Sequence, residues 1–232
     1  MVRLRLLAVL EILACSGYPT QLAIAGALSA AGIGPFDAHG QLAARYVFAL
    51  SLIDAAAVVG LVAFFLRAHG ERALRVLLGD RPKAREAALG LLLIPAVFLV
   101  AAAAMLVLAG LVPWLHNVAT NPFEGLVHNP ADAALFSVVA IVGGGVREEV
   151  QRAFILHRFD QVLGGRMVGL VLSSLAFGLG HLIQGRDVAV TTALLGACWG
   201  LVYLRRRSIV STVVSHSGFN AAEIVRFLVF GR

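Results

Sequence analysis

The feature that most constrains this chain is a series of apolar runs long enough to cross a bilayer. A spanning helix needs about 20 mostly apolar residues. Runs of this kind lie at roughly 6–31, 43–66, 87–112, 131–147, 166–183, 188–204 and 209–230. Only 14% of the 232 residues are charged, while 59% are hydrophobic, which leaves too little polar surface for a soluble globule of this size. The sequence therefore predicts an all-α, polytopic membrane helix bundle with about seven transmembrane helices.

The first run needs a separate argument, because two arginines before an apolar stretch are also typical of a signal peptide. Glu11 interrupts the apolar core of this run, and the hydrophobicity continues past Cys15 to about residue 31. We therefore expect a retained first helix, kinked at Pro19.

The basic residues predict the orientation of the bundle. Of the 19 Lys and Arg residues, 15 lie in the N-terminus and in the segments 67–86, 147–166 and 205–208, which would share one side. The positive-inside rule then places the N-terminus in the cytoplasm, in what we expect to be a bacterial cytoplasmic membrane. The net charge of +6 is better explained by topology and by contact with anionic membrane lipids than by nucleic-acid binding, since no aromatic-rich basic module is present.

Ionisable residues inside apolar runs are costly, and each is by default a hypothesis of function. Glu11 and Asp54 are isolated in the first two runs, and we interpret them as structural pairings or cavity-lining groups. Glu223 and Arg226 are three residues apart and can pair on one helix face.

A carboxylate pair stands at the end of the fourth run. Glu148 and Glu149 are adjacent, and Arg152 lies one helical turn further on. Two adjacent carboxylates repel each other, so an arginine that pairs with one of them leaves the other in a different environment. Such a difference separates a general base from a structural carboxylate.

Two further polar patterns follow on later runs. Phe177 and His181 are four residues apart in the fifth run, and His216 and Asn220 are four apart in the last, so each pair shares a helix face. Each pattern alone is explained by hydrogen bonds between helices. Burying all of these polar groups with the two glutamates would be expensive without a shared purpose.

At these residues the sequence resembles the CAAX protease and bacteriocin-processing family of intramembrane endopeptidases. The family pattern is Glu-Glu followed by Arg, then Phe-x-x-x-His, then His-x-x-x-Asn or Asp, on successive helices. The resemblance covers roughly 131–230. It divides the chain into N-terminal transmembrane helices with the basic loop 67–86, at residues 1–130, and a catalytic transmembrane core at 131–232.

The arginine departs from the family pattern. It usually follows the second glutamate by four residues, whereas Arg152 follows Glu149 by three. A shift of one residue turns a helical side chain by about 100°. The usual contact between this arginine and the carboxylates is therefore in doubt.

The resemblance implies hydrolysis of a peptide bond in a membrane-associated protein or peptide. In this hypothesis Glu148 takes a proton from water, and His181 and His216 orient that water or the scissile carbonyl. Asn220 donates to the developing oxyanion. Glu149 holds the site together or ligates a metal, and Arg152 and Phe177 support these groups.

A metal requirement stays open at the sequence level. A carboxylate with two histidines is a familiar catalytic zinc set, so Glu149, His181 and His216 are candidate ligands. A metal-free water activated by glutamate uses the same residues. The absence of a His-Glu-x-x-His motif slightly favours the metal-free reaction.

Two other functions fit the same residues. In a non-catalytic membrane factor, such as a bacteriocin-immunity protein or a scaffold, the polar groups would be structural. In a proton-coupled transporter, Glu148, His181 and His216 would form a relay, although no paired inverted repeat is visible. The sequence specifies neither the substrate nor the oligomeric state.

Overall fold

The computed structural model describes residues 2–127 and 130–230 and is all-α, as predicted. Five residues of the predicted regions 1–130 and 131–232 lie outside the described ranges, namely Met1, His128, Asn129, Gly231 and Arg232. The helices are α1 Val2–Ala14, α2 Tyr18–Ala30, α3 Ala44–Ala68, α4 Ala73–Leu78, α5 Lys83–Leu111, α6 Pro130–Val139, α7 Glu148–Val162, α8 Arg166–Leu179, α9 Arg186–Arg206 and α10 Val210–Phe230. A π-helical segment, Ala140–Arg147, joins α6 to α7.

Several helices have the length and composition of membrane spans. Within the described ranges these are α3, α5 and α9, and the bent pair of α1 and α2 would make a fourth. Among the described residues, the helices in the runs at 131–147, 166–183 and 209–230 do not meet these criteria of length and composition for a single spanning helix. The protein is an integral membrane protein, while the count of seven spans and the orientation stay predictions.

The outer face of α5 is apolar and exposed, as expected for a helix in contact with lipid. Leu92, Leu99 and Leu106 recur every seven residues and are 72–74% exposed. On the opposite side, Gly90 lies against α10, where an added Cβ would be 2.6 Å from the Cβ of Val214. One face of α5 therefore packs on the bundle and the other is suited to lipid.

The first apolar run is broken into two helices, α1 and α2, with a bend of 40° between them. Gly17 takes a left-handed conformation with φ +84°, which glycine adopts without the usual steric penalty. Pro19 lies in the first turn of α2, where a proline is tolerated. The predicted kink is thus a break, and it lies just before Pro19.

The fourth apolar run does not end at the two glutamates. The helical rod continues from α6 through the π-helical segment and α7 to Val162. Glu148 and Glu149 therefore lie in the interior of a long rod, where we predicted the end of a span. The apolar pattern stops at this point because polar side chains of α7 are paired inside the protein, whereas the backbone stays helical.

The fifth run is shorter than predicted. Helix α8 ends at Leu179, and Gly180 and His181 lie beyond it, before a short 3₁₀ turn at Leu182–Gln184. His181 is consequently at the end of α8, whereas the prediction placed it inside a helix over 166–183.

Helix α9 lies at the centre of the part of the bundle that holds the polar residues. Trp199 and Tyr203 are each 2% exposed, so α9 is enclosed by its neighbours. Two glycines permit this close packing: a Cβ at Gly178 would be 2.5 Å from the Ala189 carbonyl, and one at Gly196 would be 2.8 Å from the Phe177 ring. Through this packing, side chains of α7, α8 and α10 meet around Trp199.

Candidate active site

Glu149 is the most enclosed member of the site, with 1% of its side chain exposed. Its Oε1 accepts hydrogen bonds from Arg152 and from Nδ1 of His216, the latter at 3.0 Å. An unpaired carboxylate at such a position would be costly, so these two donors explain how it is accommodated. The contact with Arg152 forms despite the short spacing, because residues three apart are neighbours on a helix.

Arg152 is itself buried and is sandwiched by aromatic rings. Its guanidinium carbon lies 4.6 Å from the ring centroid of Phe177 and 5.8 Å from that of Trp199. A desolvated guanidinium gains from the negative faces of such rings. Phe177 thus helps to hold the cation that neutralises Glu149.

His216 lies between the two glutamates. Its Nδ1 contacts Glu149, and its Nε2 is 3.8 Å from Oε2 of Glu148. The ring stacks on Trp199 at a centroid distance of 3.9 Å and an interplanar angle of 16°, and the Phe177 ring meets it edge-on at 6.0 Å. The imidazole therefore has a fixed orientation, with one nitrogen committed to Glu149 and the other directed to Glu148.

Glu148 has a different environment from its neighbour. Its side chain is 18% exposed, and His216 Nε2 and Arg147 Nη1 each lie 3.8 Å from one of its carboxylate oxygens. Within the described ranges it makes no side-chain hydrogen bond. Its lone pairs are free to accept a proton from a water molecule, as a general base requires.

Asn220 lies one helical turn beyond His216 on α10. Its Nδ2 donates a 3.2 Å hydrogen bond to the Ala140 carbonyl in the π-helical segment. Gly144 makes room for this amide, since a Cβ there would be 2.5 Å from Nδ2. A side-chain amide has two N–H groups, so the second is available to another acceptor.

His181 stands apart from this cluster. Its Nδ1 is 2.8 Å from the Phe177 carbonyl, and its ring meets the Phe177 ring at 4.8 Å. Because a carbonyl only accepts, Nδ1 donates the hydrogen bond in this contact, and Nε2 is left for other partners. No hydrogen bond or ion pair joins His181 to the glutamates or to His216 in the described part of the chain; Phe177 lies between them.

The proposed zinc ligands do not converge. Across residues 2–127 and 130–230, no three His, Cys, Asp or Glu side chains come close enough together to hold a metal ion. Glu149 and Nδ1 of His216 are already paired with each other, and Glu149 also contacts a cation. Glu149, His181 and His216 therefore do not fit a zinc site in this structure.

Three residues of this region were missed as site residues in the sequence. Trp199 carries no charge, but tryptophans are enriched at the membrane interface. A tryptophan in the middle of an apolar run could therefore have been singled out from the sequence. Asp54 was interpreted as a structural pairing or a cavity-lining group, and Arg147 as a topology determinant. Nη2 of Arg147 lies 2.7 Å from Oδ2 of Asp54, and this pair adjoins Glu148.

Residues 130–222 match the family model described as type II CAAX prenyl endopeptidase, Rce1-like. No curated protein and no solved structure matches the chain. The matched segment contains both glutamates, both histidines and Asn220, in the order that the sequence pattern predicts. Over residues 130–222, the chain is thus similar to the Rce1-like endopeptidases, in agreement with the resemblance to the CAAX protease and bacteriocin-processing family that the sequence pattern indicates.

Proposed function

We propose that this protein is an intramembrane endopeptidase that hydrolyses a peptide bond of a membrane-associated protein or peptide, using a water molecule activated by Glu148. The observation that carries this proposal is the difference between two adjacent glutamates. Glu149 is fully enclosed and paired with Arg152 and His216, while Glu148 is partly exposed and makes no side-chain hydrogen bond with the described residues. One carboxylate is thus committed to the structure and the other is available for chemistry.

In the proposed reaction Glu148 removes a proton from water as the oxygen attacks the scissile carbonyl carbon. His216 Nε2, directed to Glu148, helps to hold that water or the carboxylate. Glu148 then returns the proton to the leaving amine. Glu149 keeps the imidazole oriented through Nδ1, as a third group does in other triads.

Two further groups complete the proposed site. The second N–H of Asn220 stabilises the negative charge that develops on the carbonyl oxygen. His181 presents Nε2 at the end of α8, next to Phe177, and we propose that this nitrogen orients the attacking water or the substrate. Since His181 is at a helix end, substrate binding can bring it closer without disturbing α8.

The proposed reaction is metal-free, because Glu149, His181 and His216 do not converge on a common point. Metal analysis of the purified protein, together with activity after chelation, tests this part of the proposal. Stoichiometric zinc whose removal and return abolish and restore activity would contradict it.

We further propose seven transmembrane segments with a cytoplasmic N-terminus in a bacterial cytoplasmic membrane. The site would then open towards the cytoplasm. In this arrangement residues 131–232 form the catalytic core, and residues 1–130 support it. Membrane lipids are the surroundings, and the substrate reaches the site from the bilayer or its surface.

The experiment that tests the proposed function is a cleavage assay with the full chain reconstituted in liposomes. A quenched fluorescent peptide that ends in a CAAX motif is supplied in farnesylated and unmodified forms, and the products are identified by mass spectrometry. We expect cleavage of at least one form by the wild-type protein, and a fall of about 10²- to 10⁴-fold for Glu148→Gln. Cleavage that is unchanged in this variant, or no cleavage of either form by the wild-type protein, contradicts the proposed function.

A further inference from the structure

A second charged pair, Asp54 and Arg147, adjoins the site from the N-terminal part of the chain. Nη2 of Arg147 is 2.7 Å from Oδ2 of Asp54, and the two side chains are 12% and 5% exposed. Thr20 and Gln21 of α2 also donate hydrogen bonds to the Asp54 carboxylate. An aspartate on α3 is therefore used to hold an arginine of the π-helical segment.

The other end of the same guanidinium faces the proposed base. Nη1 of Arg147 is 3.8 Å from Oε1 of Glu148. Side chains of adjacent helical residues normally point in different directions, and the ion pair with Asp54 holds the Arg147 guanidinium where it also lies near Glu148. The π-helical segment ends at this residue, and such departures from α-helical geometry are frequent at functional sites.

The backbone break between α1 and α2 provides the space that the Arg147 guanidinium occupies. A Cβ at Gly17 would lie 1.9 Å from Nη2 of Arg147, so any other residue would displace the guanidinium. Nε of Arg147 is buried and has no partner among the described residues. The two Nη groups therefore make the ionic contacts, one with Asp54 and one with Glu148.

We propose that Arg147 is a positioning residue for Glu148, and that Asp54, with Thr20 and Gly17, fixes Arg147 in place. This inference rests on the proposed function and deepens it. The ionisable groups then form a continuous series, from Asp54 through Arg147, Glu148, His216 and Glu149 to Arg152, with acidic and basic side chains alternating. Glu148 is held from two sides, by His216 on α10 and by Arg147.

A structural role makes a different prediction from a positioning role. If the pair only satisfies two buried charges, removing both of them should restore whatever removal of one costs, because no unpaired charge remains. If Arg147 positions Glu148, removing both should restore stability but not turnover. The double variant therefore separates the two roles.

The experiment is a double-mutant cycle of Asp54→Asn and Arg147→Gln, assayed with the quenched CAAX peptide in liposomes. We expect each single variant to lower kcat by about 10-fold or more, with KM changed much less. The double variant should recover the wild-type unfolding temperature but keep the low kcat of Arg147→Gln. Thr20→Val removes one hydrogen bond to Asp54 and no charge; a smaller fall in kcat is expected.

The matched control is an exposed pair of the same residue types. Arg75 and Asp80 are 3.4 Å apart, with side chains 67% and 77% exposed. The cycle of Asp80→Asn and Arg75→Gln should leave kcat and KM unchanged. If the Asp54–Arg147 double variant recovers wild-type kcat, the positioning role is wrong while the proposed function stands. If the wild-type protein shows no cleavage that depends on Glu148, the proposed function fails, and this inference fails with it.

Discussion

His216 on α10 and Glu149 on α7 are joined by a hydrogen bond of 3.0 Å between Nδ1 and Oε1, although 67 residues separate them in the chain. This hydrogen bond fixes the orientation of both the imidazole and the enclosed carboxylate. Glu148, the next residue in sequence, is left facing the other ring nitrogen. The difference in role that we propose for the two glutamates follows from which nitrogen of His216 each one faces.

Arg152 neutralises Glu149 inside the bundle, so its removal should destabilise the protein. Arg152→Leu leaves a buried carboxylate with only His216 beside it, and we expect a loss of about 3–5 kcal/mol in the free energy of unfolding. Thermal unfolding in detergent measures this loss. Arg75→Leu, which removes an exposed arginine, is the control and should change stability by less than about 0.5 kcal/mol. Equal losses of stability for Arg152→Leu and Arg75→Leu would show that the buried Glu149–Arg152 pair contributes no more to stability than an exposed arginine does.

Two adjacent glycines allow a test of Asn220 that leaves Asn220 itself in place. A Cβ at Gly144 would be 2.5 Å from Nδ2 of Asn220, whereas one at Gly143 would make only an ordinary contact, 3.8 Å from the Cβ of Ser51. Gly144→Ala should therefore displace the amide and lower kcat by about 10²- to 10³-fold, the usual effect of losing an oxyanion donor.

Gly143→Ala is the matched control for that substitution. Alanine favours helix over glycine to the same extent at both positions, so backbone effects should be alike. We expect near-wild-type kcat for Gly143→Ala. Peptide-cleavage kinetics check both variants, and a Gly144→Ala protein with normal kcat would exclude Asn220 from the chemistry.

The pH dependence of stability should depend on Glu71, which lies between α3 and α4. Burial raises the pKa of this carboxyl, but hydrogen bonds and charge from His157 and Arg158 outweigh burial, and the pKa is lowered overall. A carboxyl with a lowered pKa in the folded state stabilises the protein above its unfolded pKa of about 4.3, and this contribution is lost as the pH falls further.

Glu71→Gln should accordingly lower stability by about 2 kcal/mol at pH 7 and by much less at pH 3. Unfolding temperatures of the variant and the wild-type protein, measured in detergent at several pH values, provide the comparison. A difference that stays constant between pH 7 and pH 3 would rule out this electrostatic contribution.

The sequence predicted the helical class and the patterns that carry the site, and the reason is physical. Polar residues inside apolar runs are too costly to be incidental, so Glu149 and His216 could be identified before any contact was known. The same argument applied to Asp54, but its partner Arg147 was hidden among residues that set topology. A charged residue next to an apolar run is ambiguous from sequence alone.

Other features depend on three-dimensional packing. The π-helical segment at Ala140–Arg147 has no signal in apolar periodicity, and the end of α8 before His181 depends on how Gly178 packs on α9. Trp199 became part of the site only through its stacking on His216. The spacing of Arg152 put the family's usual arginine contact in doubt, although Arg152 was also predicted to lie one helical turn from the glutamates. The structure contains a contact with Glu149, because residues three apart are neighbours on a helix.

The most direct test of the central claim compares Glu148→Gln with Glu149→Gln in one experiment that measures both turnover and unfolding temperature. The account predicts that Glu148→Gln folds with wild-type stability and loses turnover by about 10²-fold or more. Glu149→Gln should lose about 3–5 kcal/mol of stability, because Arg152 is left buried without its carboxylate. Wild-type turnover in Glu148→Gln, or an equal loss of stability in both variants, would contradict the division of roles between the two glutamates.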